Sequence, residues 1–197
     1  MAEERQGKRL RITVNAPAVL GFVALCFAAT LAGQISGSTL TRMLFATYRS
    51  PLTNPLTYLR LFTHVLGHAS WSHLFGNMIY VLLLGPLLEE KYGSGNLVAI
   101  IAVTAVVTGI VNSIFFPQQA LCGASGVCFA FILLSSLTSF REGEIPLTFL
   151  LVAALFLGQE IIQGIFVQDN VSNLSHIIGG LVGAQLGYAG LGSSQSR

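Results

Sequence analysis

Charged side chains are scarce in this sequence. Asp, Glu, Lys and Arg make up 9% of its 197 residues, whereas a soluble domain carries about 25%. With 53% hydrophobic residues, the chain has too little polar surface to face water on all sides. The bilayer is therefore the expected solvent. The net charge of +2 is too small to indicate nucleic-acid binding.

Cysteine is also rare, which excludes a disulfide framework. The three cysteines, Cys26, Cys122 and Cys128, lie in apolar stretches and form no even, spaced set. They are interpreted as small core residues. Neither a CxxC motif nor a cluster of Cys and His is present in the sequence, so no metal site is predicted.

Long apolar runs dominate instead. A membrane-spanning helix needs about 20 mostly apolar residues. Six segments meet this requirement: Pro17–Ile35, 72–88, 97–116, 124–140, 146–167 and 174–191. They must be helices, because lipid offers no partner to an open backbone. The first run is long enough to span and has no clear cleavage site, so it is interpreted as a retained span and not a signal peptide.

The predicted fold is therefore all-α, a polytopic bundle of six transmembrane helices over residues 17–191. A basic segment, 1–16, precedes it, and a flexible tail, 192–197, follows it. The long connection 36–71 is polar and aromatic. By the positive-inside rule both termini are expected in the cytoplasm. The basic residues on that side are those of the N-terminal segment, Lys91, Arg141 and Arg197.

A few polar residues fall inside the predicted spans, where such groups usually face the bundle interior and mark function. They are His73, Asn77, Asn112, Glu160 and His176, with Ser125 at the start of the fourth span. His73 and Asn77 are four residues apart and share a helix face. Both can donate hydrogen bonds. Polar contact between helices and a functional role remain alternatives for this pair.

Ser125 and His176 are each followed by glycines. Gly123-Ala124-Ser125-Gly126 leaves the hydroxyl unobstructed at a helix N-terminus, where unpaired N–H groups suit a developing oxyanion. In His176-Ile177-Ile178-Gly179-Gly180-Leu181-Val182-Gly183, the glycines at 179 and 183 share a face with the histidine. Alone, the GASG motif is more typical of tight helix packing, and His176 is as typical of a buried, hydrogen-bonded histidine as of a general base. Both spans begin on the outer side, however, so a Ser–His pair at one depth is predicted.

These residues together resemble the rhomboid family of intramembrane serine proteases. The likeness runs from Arg60 to about Gly183 and rests on five ordered signatures: Arg60-Leu61-Phe62-Thr63-His64; His68, His73 and Asn77; Gly85, Glu89, Gly93 and Ser94; the GASG motif; and the HxxGxxxG motif. Two positions depart from the family pattern. Leu59 stands where the family usually has Trp, and Phe129 stands where better-known members carry a Tyr stacked on the catalytic imidazole.

The resemblance implies a role for each signature. Ser125 would be the nucleophile and His176 the general base, without an aspartate. His73, Asn77 and the Ser125 backbone N–H would form the oxyanion hole, which Gly123 keeps open. Structural roles would fall to Glu89, Gly93, Phe129, Gly179 and Gly183. The fifth span would act as a mobile gate, and no metal or cofactor would be required.

The implied function is cleavage of single-span membrane proteins in or near their transmembrane segments, at the outer side of a plasma or inner membrane. The alternatives are a non-catalytic rhomboid-like protein that binds membrane clients, and a small transporter, which internal repeats would indicate. Glu160 lies outside the resemblance and is interpreted as facing internal water or a polar neighbour. A role of Glu160 in gating or pH response is the alternative. The sequence assigns no natural substrate and no oligomeric state.

Overall fold

The computed structural model describes residues 13–137, 147, 150–152, 154–155, 158, 177–183 and 185. Within 13–137 the chain forms six helices: α1 (Pro17–Ile35), α2 (Thr39–Leu44), α3 (Pro55–Thr63), α4 (Trp71–Tyr92), α5 (Ser94–Phe115) and α6 (Ser125–Leu137). Residues 177–183 are also helical. The fold is all-helical in the described part of the chain, apart from one isolated antiparallel bridge between Thr47 and Leu121.

Three helices, α1, α4 and α5, are long and apolar enough to cross a membrane, and α6 is a shorter apolar helix. They correspond to the first four predicted spans. Most of the fifth and most of the sixth predicted span, with the segments 1–12 and 186–197, lie outside the described residues. The count of six spans therefore stays a prediction.

α4 lies at the centre of the described bundle, in contact with α1, α5 and α6. Its buried positions Leu74, Met78, Val81 and Leu88 recur at helical spacing and form the core together with Val127 and Phe131 of α6. At Gly85, an added Cβ would lie 2.7 Å from Cγ2 of Val19. The glycine therefore lets the backbone of α4 approach α1 closely.

The second and third predicted spans have the right position, but the second was predicted to end too early and the third to begin too late. α4 continues through Glu89, Glu90 and Lys91 to Tyr92, and α5 begins at Ser94. The helix continues because Glu89 is buried and bonded, not solvated. Gly93 separates the two helices at φ 80° and ψ 152°, a conformation that residues with a Cβ rarely adopt.

The connection 36–71 contains two helices that its polar and aromatic composition did not predict, α2 and α3. Asn54 caps α3, its side-chain oxygen accepting from the Leu56 N–H at 3.0 Å. The polarity of α3 is inverted relative to a helix in water: Leu59 and Phe62 are exposed, and Arg60 is 3% exposed. The Arg60 guanidinium lies over the Tyr48 ring at 4.5 Å, and Nε donates to the Leu56 carbonyl. This arrangement suits a helix whose outer face meets lipid.

Candidate active site

The chain before α6 is held in place by two buried histidines. The Gly123 N–H donates to the His64 carbonyl at 2.9 Å. The Ala124 N–H donates to Nε2 of His68 at 3.3 Å. Gly123 has φ 126°, a conformation that favours glycine. These contacts fix the turn from which Ser125 enters α6, and Ser125 itself is completely buried.

His73 and Asn77 of α4 lie against this turn. A Cβ added at Gly123 would stand 2.7 Å from Cε1 and 2.8 Å from Nε2 of His73, and 3.7 Å from Nδ2 of Asn77. The absence of a side chain at position 123 therefore lets the His73 ring approach the turn closely, with the Asn77 amide beside it. Nδ2 of Asn77 is buried, with no hydrogen-bond acceptor among the residues that the structure describes. A buried donor without a partner costs free energy, which points to a role for it beyond folding.

His68 connects the turn to α1. Because Nε2 accepts from Ala124, the ring proton is assigned to Nδ1, which lies 3.2 Å from the Leu66 carbonyl and 3.5 Å from the Thr30 hydroxyl. Its ring meets that of His73 edge to face at 5.0 Å. Burial, and then the nearby His73, lower the pKa of His68 from 6.5 to about 3. A neutral His68 is what the bond from Ala124 requires.

The helical stretch 177–183 packs against α5 and α6 through its glycines. A Cβ added at Gly179 would meet the Thr108 side chain, and one at Gly183 would meet Thr104. Gly180 is in contact with the Phe129 ring in the same way. Thr108 also lies 3.2 Å from the position that a Cβ would take at Gly126. The glycine face predicted from sequence, Gly179 and Gly183, is therefore in contact with α5, and Gly183 also meets Ala130 of α6.

His176, the residue before this stretch, lies outside the described residues, as does Glu160. The pairing of Ser125 with His176 and the role of Glu160 therefore stay predictions. Among the described residues, no three His, Cys, Asp or Glu side chains are grouped as metal ligands.

Comparison with known proteins places this site in a family. Residues 55–193 match the family described as Rhomboid domain. This chain belongs to the rhomboid family. Every signature noted in the sequence, from Arg60 to Gly183, falls inside the matched rhomboid region.

Individual rhomboid relatives share a quarter to a third of their aligned residues with this chain. The chain is 32% identical over 159 residues to Rhomboid-related protein 2 of Mus musculus, which covers 70% of this chain and 52% of the relative. It is 28% identical over 178 residues to Rhomboid protease GlpG of Serratia proteamaculans (strain 568), covering 87% of this chain and 62% of the relative. Rhomboid-like protein 11, chloroplastic, of Arabidopsis thaliana is 25% identical over 138 residues, which are 63% of this chain and 49% of the relative. The chain thus spans about half to two thirds of the length of these rhomboid relatives.

Sequence reasoning assigned roles to His73, Asn77, Gly123 and Ser125, and the structure places His73 and Asn77 beside Gly123, two residues before Ser125. It assigned no role to the side chain of His68 beyond membership of a motif, and it interpreted Cys128 as a small core residue. Cys128 is a core residue as predicted, and it is also in contact with Asn77, its Sγ lying 3.6 Å from Oδ1. No sequence signal relates two residues 51 positions apart on different helices, so the contact depends on how α4 and α6 pack.

Proposed function

We propose that this chain is an intramembrane serine protease that hydrolyses peptide bonds in or near the transmembrane segments of single-span membrane proteins. Ser125 is the nucleophile and His176 the general base. Membership of the rhomboid family supports the proposal, as does the likeness to a relative described as a rhomboid protease. The observation that carries it is the position of His73 and of the unsatisfied Asn77 donor against the Gly123 turn.

The proposed reaction assigns a step to each of these residues. Ser125 Oγ attacks the scissile carbonyl carbon while His176 accepts the hydroxyl proton. The negative oxygen of the tetrahedral intermediate is stabilised by His73, Asn77 and the Ser125 N–H at the start of α6. Collapse breaks the C–N bond, and the proton on His176 passes to the leaving amine. Water then attacks the acyl-enzyme by the same route, which releases the carboxylic acid and restores Ser125.

A transmembrane substrate must unwind before this reaction, because a helix hides its carbonyls in its own hydrogen bonds. Gly and Pro weaken a helix by about 1 and 3 kcal/mol, so cleavage should favour sites beside such residues. Ser125 has no exposed surface here. Entry of the substrate therefore requires neighbouring segments to separate.

The proposed location is a plasma or inner membrane, with both termini in the cytoplasm and the site towards the outer side. The structure is compatible with the span order, since the start of α1 and the end of α4 meet at one end of the bundle through Glu89. The bilayer and single-span substrates are the proposed partners.

The test is incubation of the protein, purified in lipid vesicles, with a panel of single-span model substrates, followed by mass spectrometry of the fragments. The expected result is cleavage near the outer ends of the substrates, abolished by Ser125→Ala and by His176→Ala. Ser113→Ala is the matched control, because the Ser113 hydroxyl bonds within α5 to the Gly109 carbonyl. It should cleave at the wild-type rate.

A serine-reactive fluorophosphonate distinguishes the protease from a client-binding rhomboid-like protein. Labelling of Ser125 that is lost in His176→Ala supports the protease. Capture of substrates without cleavage or labelling would favour the non-catalytic alternative, and undiminished turnover by Ser125→Ala would refute the assignment of the nucleophile.

A further inference from the structure

The thiol of Cys128 is in contact with Asn77. Cys128 follows Ser125 by three residues on α6, and it is completely buried. Its Sγ lies 3.6 Å from Oδ1 and 3.4 Å from the backbone carbonyl oxygen of Asn77. Contacts of this kind are weak hydrogen bonds in which S–H donates. Asn77 thus offers the thiol an acceptor in either oxygen.

This contact bears on which way the Asn77 amide faces. The oxygen and NH₂ ends of an asparagine have nearly the same shape, so hydrogen-bond partners decide between the two orientations. With Oδ1 accepting from Cys128, Nδ2 is the end closer to the Gly123 turn, 3.7 Å from the position of a Cβ there. The opposite orientation would put NH₂ against sulfur, a weak acceptor, and an oxygen lone pair towards the turn.

The orientation matters for the reaction proposed above, on which this inference rests. A donor at the turn attracts the negative charge that develops on the substrate oxygen, whereas an acceptor there repels it. Asn77 Nδ2 has no acceptor among the described residues, so its own bonding does not select the productive orientation. Of the two oxygens within reach of the Cys128 thiol, only Oδ1 belongs to the side-chain amide, and a hydrogen bond from Cys128 to Oδ1 selects the productive orientation.

We propose that Cys128 is a positioning residue for the rhomboid reaction: by donating to Asn77 it holds the amide with its NH₂ towards the site of the oxyanion. Cys128 does not touch the substrate and acts through Asn77. Because the oxyanion exists in the transition state and not in the bound substrate, loss of this orientation lowers kcat and leaves KM unchanged.

Cys128→Val tests this proposal, because valine fills nearly the same volume without a donor. The expected result is a fall in kcat of about two- to fivefold, in keeping with a weak S–H bond, with KM unchanged. Cys128→Ser retains a donor and should recover at least half of the lost kcat. Cys26→Val is the matched control, since Cys26 is a buried thiol on α1 whose contact is the Val65 carbonyl. It should keep the wild-type kcat.

A double-mutant cycle separates positioning from packing. In an Asn77→Ala background, Cys128→Val should have no further effect on kcat, since the amide that it orients is gone. Losses that multiply in the double variant would overturn the proposal, as would a wild-type kcat in Cys128→Val. If Cys128→Val yields little folded protein, Cys128→Ala replaces it in the same cycle.

A readout without catalysis separates this inference from the proposed function. In detergent micelles, the side-chain amide NMR signals of Asn77 are identified by their loss in Asn77→Ala. They should shift in Cys128→Val and stay close to wild type in Cys128→Ser and Cys26→Val. Unchanged Asn77 signals in Cys128→Val would refute the contact even in an active protease. A shift in a protein that cleaves no substrate would support the contact and count against the protease.

Discussion

The carboxylate of Glu89, near the end of α4, caps the first turn of α1 through the N–H of Val19. Its Oε2 accepts from Val19 at 2.9 Å, and Oε1 accepts from the Ala18 N–H at 2.9 Å and from the Ser94 hydroxyl at 2.6 Å. α1 has no side-chain cap of its own and no acidic residue in its first turn. The negative charge of Glu89 also complements the positive end of the α1 dipole. One side chain therefore joins α1, α4 and the turn into α5.

Glu89→Gln should destabilise the protein and leave its cleavage specificity unchanged. In glutamine, one of the two carboxylate oxygens is replaced by an NH₂ group, which cannot accept a hydrogen bond. At least one of the buried N–H groups of Ala18 and Val19 therefore loses its partner, at a cost of about 1–3 kcal/mol. The measurement is the thermal midpoint in detergent, which should fall by several degrees. Glu90→Gln is the control, because Glu90 is the neighbouring residue and its side chain is exposed. An equal midpoint in both variants would contradict the capping role.

Only part of the bonding of Glu89 could be predicted from the sequence. The resemblance implied a structural role for this residue, and the bond from the Ser94 hydroxyl ties it to the start of α5. The bonds to Ala18 and Val19 cross about 70 positions of sequence, and no local pattern encodes them. Helices α2 and α3 were not predicted either, because each is too short to show a clear amphipathic pattern. The buried Arg60 of α3 is explained by its packing on the Tyr48 ring, a contact between different segments.

Gly123→Ala should abolish most activity. The alanine Cβ would stand 2.7 Å from the His73 ring, and the residue would have to keep φ 126°. Such backbone strain costs of order 1–3 kcal/mol, and relief of the clash would move His73 or Ser125 out of register. We expect cleavage to fall by more than about tenfold, since displacement of an oxyanion donor typically costs 10²–10³.

The control for Gly123→Ala is Gly21→Ala on α1, where a Cβ meets nothing within 4 Å. This variant should retain wild-type cleavage and equal or higher stability, since alanine favours helix more than glycine does. Both rates come from the single-span substrate assay in vesicles. A Gly123→Ala protein with wild-type kcat would show that the space beside His73 and Asn77 is not used in the reaction.

Gly179→Ala should separate the helix of residues 177–183 from α5. Its Cβ would meet the Thr108 side chain, whose hydroxyl donates to the Thr104 carbonyl at 2.5 Å. Because Gly179 follows His176 by three residues, movement of this helix would also displace the proposed base. The expected loss of cleavage is about tenfold or more, a size typical of a roughly 1 Å misplacement.

Thr108→Ala provides the decisive comparison for Gly179→Ala. It removes the Thr108 hydroxyl, the nearest atom that the new Cβ would meet, and leaves the Cβ of residue 108 at 3.0 Å, so the double variant should recover part of the lost activity. The single Thr108→Ala variant should lose less activity than Gly179→Ala. A double variant no better than Gly179→Ala would mean that the helix is held against α5 by other contacts.

In the candidate site, too, contacts within one helix could be predicted from sequence, whereas contacts between distant segments could not. His73 and Asn77 share a face by their spacing of four, and glycines 179 and 183 likewise, so local periodicity predicted these pairs. The Gly123 turn beside α4 is held by the His64 backbone carbonyl and by Nε2 of His68, which accept from the Gly123 and Ala124 N–H groups. Such bonds carry no sequence signature, because any backbone N–H serves as the donor.

Acidification should destabilise the protein through His68. Its folded-state pKa, about 3, lies below its ordinary value of 6.5, so the unfolded chain binds a proton that the folded chain does not. The contribution of this group to stability is therefore complete above about pH 6.5 and declines as the pH falls from 6.5 towards 3. His68→Gln removes the titration and keeps an acceptor for the Ala124 N–H. The thermal midpoint, measured between pH 7.5 and about 4.5, should fall less steeply in His68→Gln than in wild type. Parallel curves for the two proteins would show that His68 is not buried as a neutral acceptor, and the bond that fixes the turn before Ser125 would have to be assigned elsewhere.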